Sequence, residues 1–117
     1  MSLQDDCIFC KIIRREIPAK IVAESEDWFA FDDINPQAPV HTLIIPKTHI
    51  SSTNELDDAQ AEIMGRLFVA AREVAERKGV AQSGYRMVMN TGAQAGQTVF
   101  HVHLHVVAGR PLSWPPG

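Results

Sequence analysis

Across 117 residues the chain carries two cysteines and one tyrosine. No apolar stretch approaches the roughly 20 residues that a membrane span needs, so no membrane partner is expected. Two cysteines cannot build a disulfide scaffold, and both sit in one short motif, Cys7-Ile-Phe-Cys10. A strong charge of either sign is also missing. The net charge is -3, which gives nucleic acid nothing to grip. Lys11, Arg14, Arg15 and Lys20 form the one modest basic cluster, and the plain reading is a solvated helix face. The opening Met-Ser-Leu-Gln-Asp-Asp is acidic and has no apolar signal-peptide region, so a cytoplasmic protein with reduced thiols is expected. Repeats, low-complexity tracts and linker-like shifts of composition are absent. Apolar residues make up 45% and charged residues 21%, as in ordinary globular proteins, and the length suits one domain over residues 1–117.

What is present reads as strands around one long helix. Cys7 to Arg15 forms a short helical turn that closes before Pro18. "KIVAES" and "DWFAFDD" are two strands joined by a polar turn at Glu24 to Asp27. "NPQAP", Asn35 to Pro39, is a rigid loop, and "VHTLII" is a strand that stops at Pro46. The long helix is expected over Glu55 to Lys78. Leu56, Ile63, Leu67, Ala70 and Val74 make its apolar stripe, Ser52 and Glu55 offer a capping box, and Gly79 a stop. "YRMVMN", Tyr85 to Asn90, and "HVHLHVVA" complete about five strands. The expected class is α+β: an antiparallel sheet with one long helix across one face and a short helix near the N-terminus.

The last strand holds three of the chain's five histidines, His101, His103 and His105, at alternate positions. Alternation puts them on one face, with Val102, Leu104 and Val106 on the helix side. Residues two apart on a strand are separated by roughly 6.5 Å, close enough to serve one substrate group or one metal. Two chemistries fit. The imidazoles can ligate a catalytic zinc with an open position, or one can attack phosphorus, provided an acceptor holds its opposite N–H and leaves the attacking nitrogen unprotonated. The preceding loop, "GAQAGQT", carries Gly92 and Gly96, which let backbone amides turn inward around an anion, and Gln97 and Thr98 add side-chain donors. A glycine loop leading into aligned imidazoles favours phosphate over metal.

"GQTVFHVHLHVV" closely resembles the signature of the histidine triad (HIT) family of nucleotide hydrolases and transferases. "CIFCKIIRREIPAKIV", "FDDINPQAPVHTLIIPKTHI", "GYRMVMN" and the closing "WPPG" are similar to its Hint branch, the purine nucleoside phosphoramidate hydrolases. The resemblance runs from about Cys7 to Gly117, and the long helix is its least diagnostic part. It implies a HIT-like fold and His103 as a nucleophile toward the α-phosphorus of a purine nucleoside 5′-phosphoramidate, with no cofactor in the chemistry. His105 would contact phosphate and leaving-group atoms, Thr98 would assist the leaving group, and His41 would support the trio. Asn90 and the Gly96-Gln97-Thr98 turn would hold phosphate. Asp33 would accept the ribose hydroxyls, and Ile8, Phe9, Ile12, Ile17, Phe31 and Ile34 would line an apolar cleft for the base. Read on their own, these apolar residues are core and Asp33 is a turn residue.

The resemblance further implies a homodimer formed through the long helix and a strand, with Trp114 in the tail reaching the partner's site. The cysteine pair departs from the animal Hint pattern. It looks like bacterial HIT proteins in which Cys7, Cys10, His49 and His101 hold a structural zinc. Two thiolates and two imidazoles suit that ion. Two small buried thiols are the bland alternative, and a thioredoxin-like pair lacks its βαβ setting. Dinucleoside polyphosphate cleavage and non-catalytic nucleotide binding or scaffolding are the rival functions.

Overall fold

A computed structural model describes residues 3–117. Met1 and Ser2, on which part of the no-signal expectation falls, lie outside the described residues. The apolar "WFAF" and "TLII" segments are strands covered on both faces, which is why they read as near-continuous apolar runs. The strands are β1 (Ile21–Glu24), β2 (Trp28–Asp32), β3 (Val40–Pro46), β4 (Tyr85–Val88) and β5 (Leu104–Ala108). They form one antiparallel sheet in the order β1-β2-β3-β5-β4.

Period-two alternation sorts the side chains to two layers. Trp28, Ala30, Ile44, Leu104 and Val106 face α2 (Ala61–Arg77) and pack on its buried Leu67, Ala70, Ala71 and Val74. Phe29, Phe31, Leu43 and Ile45 face the other way, against α1 (Ile8–Ile13), whose Phe9, Cys10 and Ile12 are buried. The alanines of α2 let its backbone approach the sheet closely. At the helix C-terminus Lys78 Nζ donates to Asp32 Oδ2 at 3.0 Å, and Thr42 Oγ1 donates to Asp32 Oδ1 at 2.9 Å, so the buried Thr42 hydroxyl is satisfied.

The α+β class, the five antiparallel strands and the two helices match the sequence reading, while the starts of the long helix and of the last strand differ. The long helix begins at Ala61, not Glu55, because two 3-10 turns, Thr53–Glu55 and Asp58–Gln60, precede it. Leu56 is extended between them, at φ -77° and ψ 142°, and so leaves the apolar stripe. Ser52 caps only the first turn; the full capping box is formed by Asp57 with Gln60, which the sequence reading did not name. Residues 101–103 stand ahead of β5, whose ladder starts at Leu104. Finally, the face that carries the histidines is not open: α1 covers part of it.

Leu67 is fully buried at the centre of the α2–sheet layer. Leu67→Ala should cost about 2–5 kcal/mol, read as a lower urea midpoint with an unchanged denaturant slope.

Candidate active site

Sheet register builds the polar cluster. His105 lies opposite Leu43 across β3–β5, and His41 lies two residues further along the same face of β3. That diagonal is within reach of ring side chains. His41 Nε2 and His105 Nδ1 are 2.8 Å apart. The backbone decides which ring donates. Gln37 N–H donates to His41 Nδ1 at 3.0 Å, so His41 Nδ1 is the unprotonated nitrogen and His41 Nε2–H donates to His105 Nδ1. His105 then carries its proton on Nε2. That atom is buried with no hydrogen-bond partner among the described residues.

His103 is fixed by a different bond. Its Nδ1 stands 2.8 Å from the His101 carbonyl, which can only accept, so Nδ1 bears the proton and Nε2 keeps its lone pair. The ring is buried and meets the edge of Phe9, with centroids 5.1 Å apart. It also lies against His105 at 5.0 Å. Burial pushes the His103 pKa below that of a free imidazole, against the opposing effects of its carbonyl bond and Asp33. Burial, then the neighbouring His103 and His41, push His105 down to about 4, with Asp33 working the other way. Both rings are therefore neutral at pH 7.

The third ring of the series points elsewhere. His101 is fully buried, donates from Nε2 to the Pro46 carbonyl at 2.9 Å, and aims Nδ1 at Cys7 Sγ (3.4 Å) and Cys10 Sγ (3.6 Å). Cys10 Sγ is 3.4 Å from His49 Nδ1. The donor atoms of Cys7, Cys10, His49 and His101 all lie within 4.8 Å of one another. Burial pushes the Cys10 thiol up to about 11 and His101 down to about 4. Cys7 also caps α1, its Sγ accepting from Cys10 N–H at 3.4 Å. Asp33, His41 and His105 make a second close group, with Asp33 Oδ2 3.5 Å from His41 Nε2. The Gln37 bond puts the His41 proton on Nε2, the atom a metal would need, so this group reads as a hydrogen-bonded relay.

The trio thus splits by direction. His101 turns to the thiols, His103 offers a free Nε2, and His105 offers an Nε2–H. A single metal shared by all three, the catalytic-zinc alternative, does not fit these orientations.

The remaining expected residues divide as well. Phe9, Ile12, Ile17 and Phe31 come together in one apolar cluster. Ile8 is half exposed on a cleft of about 660 Å³ that also touches Thr98, and Ile34 is 95% exposed on its loop, so neither joins that cluster. A methyl group placed on Gly96 would stand 3.9 Å from Asn90 Nδ2, so the Asn90 amide faces the turn. Gly92 and Gly96 take positive φ, 83° and 93°, as the inward-turning loop requires. The amides of Gly96 and Gln97 are nevertheless consumed inside the turn, donating to Ala93 O and Gly92 O. The Gln97 side chain is buried: Oε1 accepts from Gly92 N–H, and Nε2 donates to the Ser51 and Val99 carbonyls. Gln97 braces the turn rather than offering free donors, which corrects the phosphate-cradle expectation for Gly96 and Gln97. Thr98 is exposed, and its hydroxyl and amide have no partner among the described residues. Sequence reasoning missed the Gln37 amide and the Pro46 carbonyl, which act through backbone atoms that carry no residue signature.

A sheet of this order, one helix across it and imidazoles split by direction at the head of β5 define an α+β protein with a histidine-centred site. Residues 14–112 match the family model described as HIT domain, and the chain belongs to that family. It is 50% identical over 115 residues to a HIT-like protein of Synechocystis sp., covering 98% of this chain and all of that one. It is 46% identical over 110 residues to the purine nucleoside phosphoramidase of Escherichia coli K12, covering 94% and 92%. A HIT family hydrolase from Legionella pneumophila superposes with a TM-score of 0.94 at 46% identity, over 96% of this chain and 100% of that one.

Because His105 is held near 4 when folded and titrates at about 6.5 when unfolded, the unfolded chain binds more protons between those values. Its contribution to stability is complete above pH ~6.5 and is lost as pH falls toward 4. His105→Gln should flatten the decline of melting temperature over that range, measured against Asp33, His41 and His103 left intact.

Proposed function

We propose that the chain, acting as one domain, hydrolyses purine nucleoside 5′-phosphoramidates of the adenosine 5′-monophosphoramidase type. The observation that carries this is the His103 Nδ1–H bond to the His101 carbonyl, which leaves Nε2 as a neutral lone-pair donor beside an imidazole with an unused N–H. The name of the E. coli relative supports the same substrate class.

In this reading His103 Nε2 attacks the α-phosphorus, the P–N bond to the amine breaks, and the amine leaves with a proton taken from solvent, which the attacking water gives back in the second step. The nucleotidyl-histidine that remains is again a P–N compound, so little energy separates the two. Water then attacks phosphorus, releasing nucleoside monophosphate and restoring the free imidazole. His105 Nε2–H donates to a phosphate oxygen as negative charge builds. The Thr98 hydroxyl and amide, with the Asn90 amide, supply the further polar contacts, Thr98 on the leaving side. His41 holds the His105 tautomer. Asp33 accepts the ribose hydroxyls, and Phe9, Ile12, Ile17 and Phe31 provide the apolar wall for the purine.

No cofactor is needed for these steps. We assign Cys7, Cys10, His49 and His101 to a structural zinc. Tetrahedral zinc with Zn–S ~2.3 Å and Zn–N ~2.0 Å places sulfur and nitrogen ligands ~3.5 Å apart, and the sulfur–nitrogen separations here are 3.4, 3.4 and 3.6 Å. With four protein ligands the ion would have no open position and would serve to fasten α1 and the His49 segment to the His101 strand.

A homodimer in the cytoplasm completes the proposal. The chain has no helix long and apolar enough to cross a membrane among the described residues, and its two cysteines are unpaired. Phe68 and Val69 on α2 and Met87 on edge strand β4 are exposed, and Trp114 is exposed in the tail. Such surface on a helix and an edge strand is what an isologous pairing would bury. Light scattering should give about twice the 13.0 kDa chain mass; a monomer at micromolar concentration would refute the pairing.

Replacing the nucleophile tests the chemistry directly. His103→Ala should lose turnover of adenosine phosphoramidate and the nucleotide-mass adduct seen by rapid-quench mass spectrometry, while nucleotide binding stays measurable. Near-normal turnover by that variant would refute the assignment. Faster cleavage of diadenosine polyphosphates than of phosphoramidate by the native protein would favour the family's other activity.

A further inference from the structure

The carbonyl that orients His103 belongs to a residue the sheet does not hold. The β3–β5 ladder ends at the pair Ile44–Leu104, and residues 101–103 run on beyond it. Other contacts fix this segment. Val102 N–H donates to the Ile50 carbonyl at 2.7 Å, and His101 Nε2–H donates to the Pro46 carbonyl at 2.9 Å. On its other side the His101 ring meets Cys7 Sγ and Cys10 Sγ at 3.4 and 3.6 Å, and it lies edge-on to His49 at 5.0 Å. Phe9, one residue before Cys10, contacts both the His101 ring (5.9 Å) and the His103 ring (5.1 Å). The cysteine–histidine cluster is therefore joined to the nucleophile twice: through the His101 backbone and through the Phe9 ring.

We propose that Cys7, Cys10 and His49 are positioning residues for the reaction, acting through His101 to hold its carbonyl against His103 Nδ1–H and so keep Nε2 unprotonated and aimed. This goes beyond a purely structural role for the cluster, and its activity arm rests on His103 being the nucleophile. The chain of atoms is short. Sulfur fixes the His101 ring, the ring fixes its own main chain, and one main-chain oxygen fixes the His103 tautomer. Freed from the thiols, His101 keeps only its Pro46 bond on the ring. Its peptide can then rotate, and His103 loses the acceptor that distinguishes its two nitrogens.

The test separates orientation from folding. Protein purified with its metal is compared with protein treated with a chelator, and with the variants Cys10→Ser and His49→Gln. The second variant removes a half-buried ligand and spares the two thiols. Nitrogen-15 NMR of the imidazoles reports the His103 tautomer and its slowly exchanging Nδ1–H without any substrate. The expected result is loss of that single-tautomer signature in folded protein. With adenosine phosphoramidate, kcat should fall by roughly 10- to 100-fold while KM changes little. Cys10→His, which restores a ligand, should bring back signature and kcat together. A folded, metal-free protein that keeps both the Nδ1–H signal and its kcat would overturn the proposal. So would losses that merely track the unfolded fraction. If the tautomer responds but no nucleotide is turned over even by the native protein, the positioning stands and the proposed reaction falls.

Discussion

The hydrogen bond from His103 Nδ1 to the His101 carbonyl is the bond on which the site's chemistry depends. An imidazole in water samples two neutral tautomers and, near neutrality, a charged form. Only one of the three has its lone pair on Nε2. A carbonyl oxygen at 2.8 Å removes the choice, since it accepts and never donates. Burial works in the same direction by disfavouring the charged ring. Geometry and solvation thus agree on one state.

The same logic repeats one strand away with the roles exchanged. There a backbone N–H, that of Gln37, fixes His41, and His41 fixes His105. Two main-chain groups, one acceptor and one donor, dictate the proton positions on three imidazoles. The outcome is complementary: a nitrogen that can give electrons beside a nitrogen that can give a proton. This requires β3 and β5 to be neighbours in a set register, which in turn requires both faces of the sheet to be covered. Trp28, Ala30 and Ile44 anchor one face under α2, while Phe29, Phe31 and Leu43 anchor the other under α1.

Much of this was legible in the chain itself. Apolar runs bounded by polar turns and prolines marked the strands, and the stripe Leu67, Ala70, Val74 marked the helix that covers them. The resemblance to histidine triad proteins brought Cys7, Cys10, His49 and His101 together across a sequence separation of 94. What escaped was carried by backbone atoms or decided by competition between local signals. Ser52 offered a cap, but it closes only a 3-10 turn, and the full capping box falls at Asp57 with Gln60 beyond the extended Leu56. Alternation of the histidines suggested that one strand carries all three, yet the ladder starts only at Leu104, with His101 and His103 ahead of it. Gln97 looked like a free donor because its residue type is polar. Its burial and its three bonds to main chain make it a brace.

His105 Nε2–H is buried without an acceptor among the described residues. A buried donor left unmet costs about 1–3 kcal/mol, a penalty the rest of the fold must outweigh. An oxyanion placed against this nitrogen would satisfy a buried donor as well as make a new contact. A substitution that removed this N–H would remove both the unmet donor and any contact it could make with an anion.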